Sequence, residues 1–304
     1  MRFPDNARVC FIGDSLTAAN EILSRVVDYY RKNFPSANVR FFNCGTSGGT
    51  YKSAIDFFPD DVLRHKPTHA VVAFGVNDSN RWALCGERSE ARFESLKNAF
   101  EEYKQCLETY CGMLVKNNIE PVLCTPAPYD EYTQSDEPTM KGGYALMFAY
   151  AQYVREFAQH NGIALCDYHE YMTRALQSET TPVYSRDHVH PTPHGYYLMA
   201  KCFLAYQGYE LGTETPLPTY LDAWRAAVAR LRLVYGAEHM VVRNYQLPIE
   251  KKLALIQEKV DKKAWGQPVF EPFIRAYLAE KPFQDALYAE IDMLYARDII
   301  QQKQ

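Results

Sequence analysis

Four short stretches of this chain carry residues able to do chemistry. The first is Gly13-Asp14-Ser15-Leu16, which closes an apolar run of Val9, Cys10, Phe11 and Ile12. A strand that stops at glycine and turns into a helix is where α/β sheets present reactive groups, at the carboxyl ends of their strands. A serine placed there could attack a carbonyl, with nearby backbone amides receiving the charge it creates. It could equally cap the helix, so the tetrapeptide alone is ambiguous. Gly48 follows a second apolar run and Asn77-Asp78 a third; singly, these serve a turn and a cap. The fourth stretch is Asp187-His188-Val189-His190-Pro191. An imidazole is poised to move a proton near neutral pH, and an acid three residues away can fix its tautomer. In an open parallel sheet the strand ends face one crevice, so residues this far apart in sequence can meet.

Strand-like and helix-like patterns alternate in the way that βαβ units require. Strands are expected at Arg8–Ile12, Val39–Asn43, Ala70–Phe74, Pro121–Thr125 and Ile163–Asp167. Between them, apolar residues recur at helical spacing: Ile22 to Phe34, a helix over Tyr51–His65, Leu96 to Leu114, and Tyr144 to Ala158. After Asp167 the sequence reads as a polar loop, until Thr192-Pro193 supplies an N-cap and first-turn pair for a helix through Leu204. Gly212 to Pro218 is the best candidate linker, giving a division at 1–212 and 213–304. Beyond it the pattern is helical only, with stripes at Trp224, Val228, Leu231, Tyr235, at Ile249, Leu253, Ile256, Val260, and at Leu287, Ile291, Leu294, punctuated by Pro248, Pro268, Pro272 and Pro282. Those helices would cap the main domain, or form a face for self-association, or wall the substrate pocket.

The chain has 304 residues, 47% of them hydrophobic and 23% charged, which suits a globular protein with a full core. A net charge of −4 and the lack of a Lys/Arg run argue against a nucleic-acid partner. No apolar run approaches a membrane span, and Met1 to Arg8 does not resemble a signal peptide. The eight cysteines (Cys10, Cys44, Cys85, Cys106, Cys111, Cys124, Cys166, Cys202) form no CxxC pair, and a reducing cytoplasm is expected.

Taken in order, the four stretches resemble the blocks of the SGNH (GDSL-type) hydrolase family, over residues 8 to about 208. The blocks are Gly13-Asp14-Ser15-Leu16, then Asn43 to Gly48 as Asn-x-x-x-Ser-Gly, Gly75 to Asp78 as Gly-x-Asn-Asp, and Asp187 to Pro191 as Asp-x-x-His-Pro. The resemblance implies a three-layer α/β/α, flavodoxin-like fold with about five parallel strands, followed here by an all-helical extension. It implies Ser15 as nucleophile, His190 as base and Asp187 as its orienting acid. The amides of Ser15 and Gly48 and the carboxamide of Asn77 would form the oxyanion hole. His188 and His194 flank His190, so the choice of base rests on spacing. No Gly-x-Ser-x-Gly elbow surrounds Ser15, which implies a shallower, more open site.

The expected reaction is hydrolysis of a short acyl group, acetyl above all, from a carbohydrate or other small polar molecule, with no cofactor. Trp82, Tyr129 and Tyr132, with Arg81 and Tyr144 near them, offer aromatic faces beside hydrogen-bonding groups. The alternatives are a lysophospholipase or thioesterase acting on longer chains, or a non-catalytic scaffold. A metal-dependent phosphoesterase would draw on Asp14, Asp78, Asp187, His188 and His190, but alternate residues of a short loop face opposite ways and no two-metal motif accompanies them. No metal is expected.

Overall fold

The computed structural model describes residues 2–85, 87, 89–133, 139–242, 247–262 and 270–301. Pro268 and the middle of the loop that precedes Lys141 lie outside them. Five parallel strands form one sheet in the order β2-β1-β3-β4-β5, with β1 Arg8–Gly13, β2 Arg40–Gly45, β3 His69–Ala73, β4 Glu120–Cys124 and β5 Ala164–Cys166. The central strands are apolar on both faces because helices cover both. Helices α2 (Glu21–Asn33) and α7 (Pro193–Tyr206) pack together on one side, and α3 (Tyr51–Phe57), α4 (Glu90–Lys116) and α5 (Gly143–Asn161) form the other layer. The register sets Gly13 level with both Gly45 and Ala73. Three strands therefore end side by side, and the loops that follow them share one rim.

Two expectations need correction. The segment after Asp167 is a helix, α6 (Tyr168–Ser178), not a loop. Its polar surface hides the pattern, but Asp167 caps it by accepting from the Glu170 amide at 3.1 Å. The helix expected over Tyr51–His65 keeps regular geometry only to Phe57; a wide turn over Phe58–Val62 and a tight one over Leu63–His65 follow. Pro59 lacks an N–H and crowds the preceding turn, so a regular helix does not run through it.

The helical extension contains α8 (Asp222–Ala237), α9 (Ile249–Asp261), α10 (Glu271–Glu280) and α11 (Gln284–Gln301). Its first and third stripes are spent inside the chain: Trp224, Leu231, Tyr235, Leu287 and Leu294 are buried in the core that the sheet also forms. A second, smaller core of Val234, Ala237, Ile256, Ile274 and Tyr277 holds the extension's own helices together. The extension lies along β2, one of the two edge strands. Tyr295 donates its hydroxyl to the Val39 carbonyl at 3.2 Å, Arg40 pairs with Asp292 at 2.9 Å, and Arg232 reaches the Gly45 carbonyl at 3.3 Å. Covering an edge strand in this way removes a template for unwanted pairing. The deepest tie is Arg232 with Asp61, at 2.7 and 2.9 Å, both side chains sealed from solvent and Tyr288 donating to the same carboxylate at 3.0 Å.

Candidate active site

The end of β1 delivers Ser15. Asp14 caps a single helical turn, Ser15–Ala18, by accepting from the Leu16 amide at 2.9 Å. Gly13 is required at this junction: a Cβ there would lie 2.2 Å from Thr17 Oγ1 and 2.6 Å from the Ala73 carbonyl. The half-buried Ser15 Oγ stands 2.8 Å from His190 Nε2, and His190 Nδ1 stands 2.6 Å from Asp187 Oδ2. The other Asp187 oxygen accepts from the amides of Val189 (3.0 Å) and His190 (2.9 Å) and from the Ser185 hydroxyl (2.8 Å). Partial burial works to raise the Asp187 pKa, but these donors outweigh it and hold the carboxyl well below the usual carboxylate range. The hydrogen bond that Asp187 accepts in turn favours the imidazolium and, against burial, raises His190 above its ordinary value.

The bend that brings Asp187 and His190 together passes through His188, a non-glycine residue at φ +65°. Left-handed geometry costs such a residue about 1 kcal/mol or more, so its surroundings must hold it there. His188 is fully buried, and its carbonyl accepts from the Asp130 amide at 3.0 Å. His194 is occupied elsewhere, between Glu214 (2.7 Å) and Glu179 (3.3 Å). Of the three histidines in this region, His190 is the one that meets Ser15.

The end of β2 is tied through Asn43 to the helical turn that carries Ser15. The Asn43 side-chain oxygen accepts from the Gly45 amide at 2.9 Å, while its nitrogen donates to Thr17 O (2.8 Å) and Asn20 Oδ1 (2.9 Å). The Thr46 amide reaches back to Gly13 O at 2.8 Å. Gly48 then takes φ +74°, a conformation glycine adopts at little cost. Asn77, after β3, donates to the Gly49 carbonyl at 3.1 Å, and Arg81 braces it from behind through Val76 O (2.9 Å) and Asn77 Oδ1 (3.4 Å). Ser15, Gly48 and Asn77 thus sit on adjoining loops at one end of the sheet. A serine, an imidazole and a carboxylate in hydrogen-bonded series, beside a rim of N–H groups, are equipped for acyl transfer. The clamp from Arg81 and the support from Ser185 were not foreseen; neither belongs to a motif, and both depend on loop geometry.

Two acids beside the site are perturbed without facing it as ligands. Burial raises Asp14 to about 6, opposed by the Leu16 amide and then by His190 and Arg81. Burial also raises Asp78 to about 7, although its Oδ1 accepts from the Tyr51 amide at 2.9 Å and so anchors the start of α3. Asp14, Asp78, Asp187 and His188 are each committed to the fold in this way rather than gathered around one point. Metal-type ligand atoms do approach within 4.8 Å at Cys44, Asp61 and His65, but Asp61 is already neutralised by Arg232.

A polar cleft of about 780 Å³ opens beside these loops, lined by Gly48, Asn77, Arg81 and Trp82 among others. Trp82 is 63% exposed, with the Arg81 guanidinium 4.8 Å from its ring. Tyr132 is also exposed, but its ring lies against Tyr144 (6.0 Å) and not on the cleft's lining. Tyr129 does not reach the surface. Its hydroxyl accepts from the Met140 amide at 3.1 Å, and its ring presses on Gly143, where a Cβ would lie 2.5 Å away. It lines a buried apolar cavity together with Asp14 and Leu16, not the open cleft.

Residues 11–198 match the GDSL-like lipase/acylhydrolase family. The chain belongs to that family. As a GDSL-family member it is a carboxylic ester hydrolase, built on the five-stranded α/β/α fold described above. It is similar to the acetylxylan esterase of Geobacillus stearothermophilus, at 22% identity over 226 residues, 69% of this chain and 98% of that one. A crystal structure of that esterase superposes with a TM-score of 0.58 at 21% identity, covering 71% of this chain and all of that one. Variants of it described as catalytic mutants have also been solved. A gut microbial diltiazem-metabolizing enzyme superposes over 98% of this GDSL-family chain and 95% of its own, with a TM-score of 0.80 at 17% identity. The helical extension is therefore part of the fold shared with that second structure, while the family match ends before it.

Proposed function

We propose that this GDSL-family hydrolase removes short acyl groups, acetyl above all, from a carbohydrate or similar small polar alcohol, with Ser15 as nucleophile. The observation that carries the reading is the unbroken series Ser15–His190–Asp187 at 2.8 and 2.6 Å. His190 takes the Ser15 proton as Oγ bonds to the ester carbonyl carbon, and the carbonyl electrons move onto an oxyanion. The N–H groups of Ser15, Gly48 and Asn77 receive that charge. His190 then passes its proton to the departing alcohol, and a water repeats the sequence on the acyl-serine. The protein's own side chains supply every step, without a cofactor.

Two observations support a short acyl group and a polar alcohol. The cleft beside the Gly48 and Asn77 loops is lined mostly by polar residues, with an exposed indole at Trp82. The similarity to an acetylxylan esterase points the same way. All eight thiols are free, two of them 3.9 Å apart and unbonded. The test is to compare an O-acetylated sugar with a long-chain ester of the same alcohol. Faster turnover of the long-chain ester would replace this reading with the lipid-directed one.

The state of His190 sets the pH dependence. Only the neutral imidazole can accept the Ser15 proton, so the rate rises with pH as His190 loses its own. Because Asp187 favours the protonated form, kcat/KM should climb through one ionisation above the ordinary histidine value of about 6.5. Asp187→Asn should move that step to lower pH and reduce the plateau by about 10²–10⁴. A flat profile from pH 5 to 8 would remove His190 as the base. Asn77→Ala should lower kcat by about 10²–10³ with little change in KM, since its donor matters most when the oxyanion forms. Steady-state kinetics on an acetyl ester reads both, and an unchanged kcat would take Asn77 out of the oxyanion hole.

A further inference from the structure

The family's sequence blocks end well before the helical extension, yet the extension reaches the rim of the site. A Cβ built on Gly48 would lie 3.0 Å from His239 Cδ2, 3.4 Å from its Nε2 and 3.4 Å from Met240 Cγ. The His239 imidazole therefore rests on the glycine whose amide is read above as an oxyanion donor. It also lines the same polar cleft as Asn77, Arg81 and Trp82. We propose that His239 is a specificity-determining residue, and that the leaving alcohol lies in the cleft bounded by His239 on the extension and Trp82 on the catalytic domain. The inference rests on Ser15 being the reacting residue, and it adds a binding surface that the family's motifs do not contain.

The way His239 is held supports a placed group over an accidental neighbour. It sits in a wide helical turn, Glu238–Val242, that continues α8. Such turns displace side chains from the regular helical path and recur at functional sites. The preceding residue, Glu238, points the other way into the extension. Its carboxylate is buried and receives Lys252 Nζ at 3.1 Å, Tyr277 Oη at 3.1 Å and Lys281 Nζ at 2.7 Å. Donors from α9, from α10 and from just beyond α10 thus fix the back of the turn whose front carries His239. Upstream, Arg232 ties α8 to Asp61 and to the carbonyl of Gly45, the residue that opens the Gly48 loop. The loop and the turn are fastened to one frame, so their spacing is set by the fold.

The chemistry suits a hydroxylated alcohol. An imidazole edge can hydrogen-bond a hydroxyl, and an indole lining the same cleft favours a ring with C–H groups on one side. Farther along, Asn80, Ser95, Asn98 and Glu102 continue the polar lining. An acyl group carries no such pattern; an alcohol with several hydroxyls does.

The experiment is a panel of acetate esters that differ only in the alcohol, namely an aryl, a simple alkyl and an O-acetylated monosaccharide, with an aryl butyrate to report acyl preference. His239→Ala should lower the ratio of kcat/KM for the sugar acetate to that for the aryl acetate by about 10-fold, the worth of one good hydrogen bond. The acetate-to-butyrate ratio should stay within about 2-fold. His239→Gln, which keeps a donor and an acceptor, should recover most of the lost ratio. Thermal melts of both variants establish that each is folded. A uniform loss across all esters, or an unchanged ratio among alcohols, would overturn the proposal. If wild type ignores the sugar acetate, the carbohydrate reading fails; His239 is then judged by whether its replacement changes the aryl-to-alkyl ratio.

Discussion

Replacing Ser15 by alanine should reduce ester hydrolysis by about 10⁴-fold or more and leave the melting temperature nearly unchanged. The size follows from the chemistry: without the hydroxyl there is no acyl-enzyme, and what persists is attack by water aided by the oxyanion donors alone. The small stability effect follows from the surroundings. Ser15 Oγ is hydrogen-bonded to His190, a half-exposed side chain already anchored by Asp187, and it is not part of the hydrophobic core. The cap of its helical turn belongs to Asp14 and survives the change. Kinetics on an aryl acetate and a thermal melt on the same preparation decide the matter. A variant retaining a tenth of the wild-type rate would show that another group attacks the ester. A fluorophosphonate probe offers a second readout, labelling wild type at Ser15 and leaving the alanine variant unlabelled. A scaffold without enzymatic activity would be labelled in neither form.

The second large effect is on stability and comes from the seam between the helical extension and the catalytic domain. Arg232→Leu should lower the melting temperature by about 6–20 °C. The replacement strands Asp61, 2% exposed, as a buried carboxylate without its cation, a loss of about 3–5 kcal/mol. For a chain of this size each kcal/mol moves the midpoint by roughly 2–4 °C. The remaining Tyr288 hydroxyl satisfies one oxygen but supplies no charge. The discriminating control is the double variant Arg232→Leu with Asp61→Leu, which removes both charges. It should recover a large part of the lost stability, because two apolar side chains in a dry site do not carry the penalty of one lone ion. A single variant that melts within 2 °C of wild type would show that the pair is hydrated in solution. Because the same guanidinium reaches Gly45, the single variant should also lose activity below its melting temperature as the Gly48 loop loosens.

The sequence was informative where a feature is local or repeats with a short period. The strands were placed to within about two residues, because an apolar run stopping at Gly13 or Gly75 announces a strand end in its own residues. The four blocks could be joined since a parallel sheet sends every such end to one side, and the level register of Gly13, Gly45 and Ala73 makes that so here. Helix α6 escaped notice because its exposed face is polar and its buried face small; the Asp167 cap with Glu170 three residues on was the available signal. The burial of Tyr129 is hidden from the sequence for a different reason. An aromatic residue in a Pro-rich loop looks exposed until Gly143, distant in sequence, is seen to make room for its ring. Arg232 with Asp61, and His239 with Gly48, are farther still from local reading. Nothing in either segment announces its partner, and only the folded chain brings them together.

The tie between Arg232 and Asp61 also has a consequence for how the molecule comes into being. The two residues are separated by 171 positions, and Tyr288 is 227 positions from Asp61. At a synthesis rate of about 5–20 residues per second, the carboxylate waits roughly 10–30 s before its cation leaves the ribosome, and longer for the tyrosine. In the later part of that interval all five strands and Ser15 have been made, while edge strand β2 is bare and the loop that carries Gly48 lacks its brace. A nascent chain at this stage is the form most in need of chaperone cover, and hydrolytic competence should arrive late, after the last helices have emerged and docked.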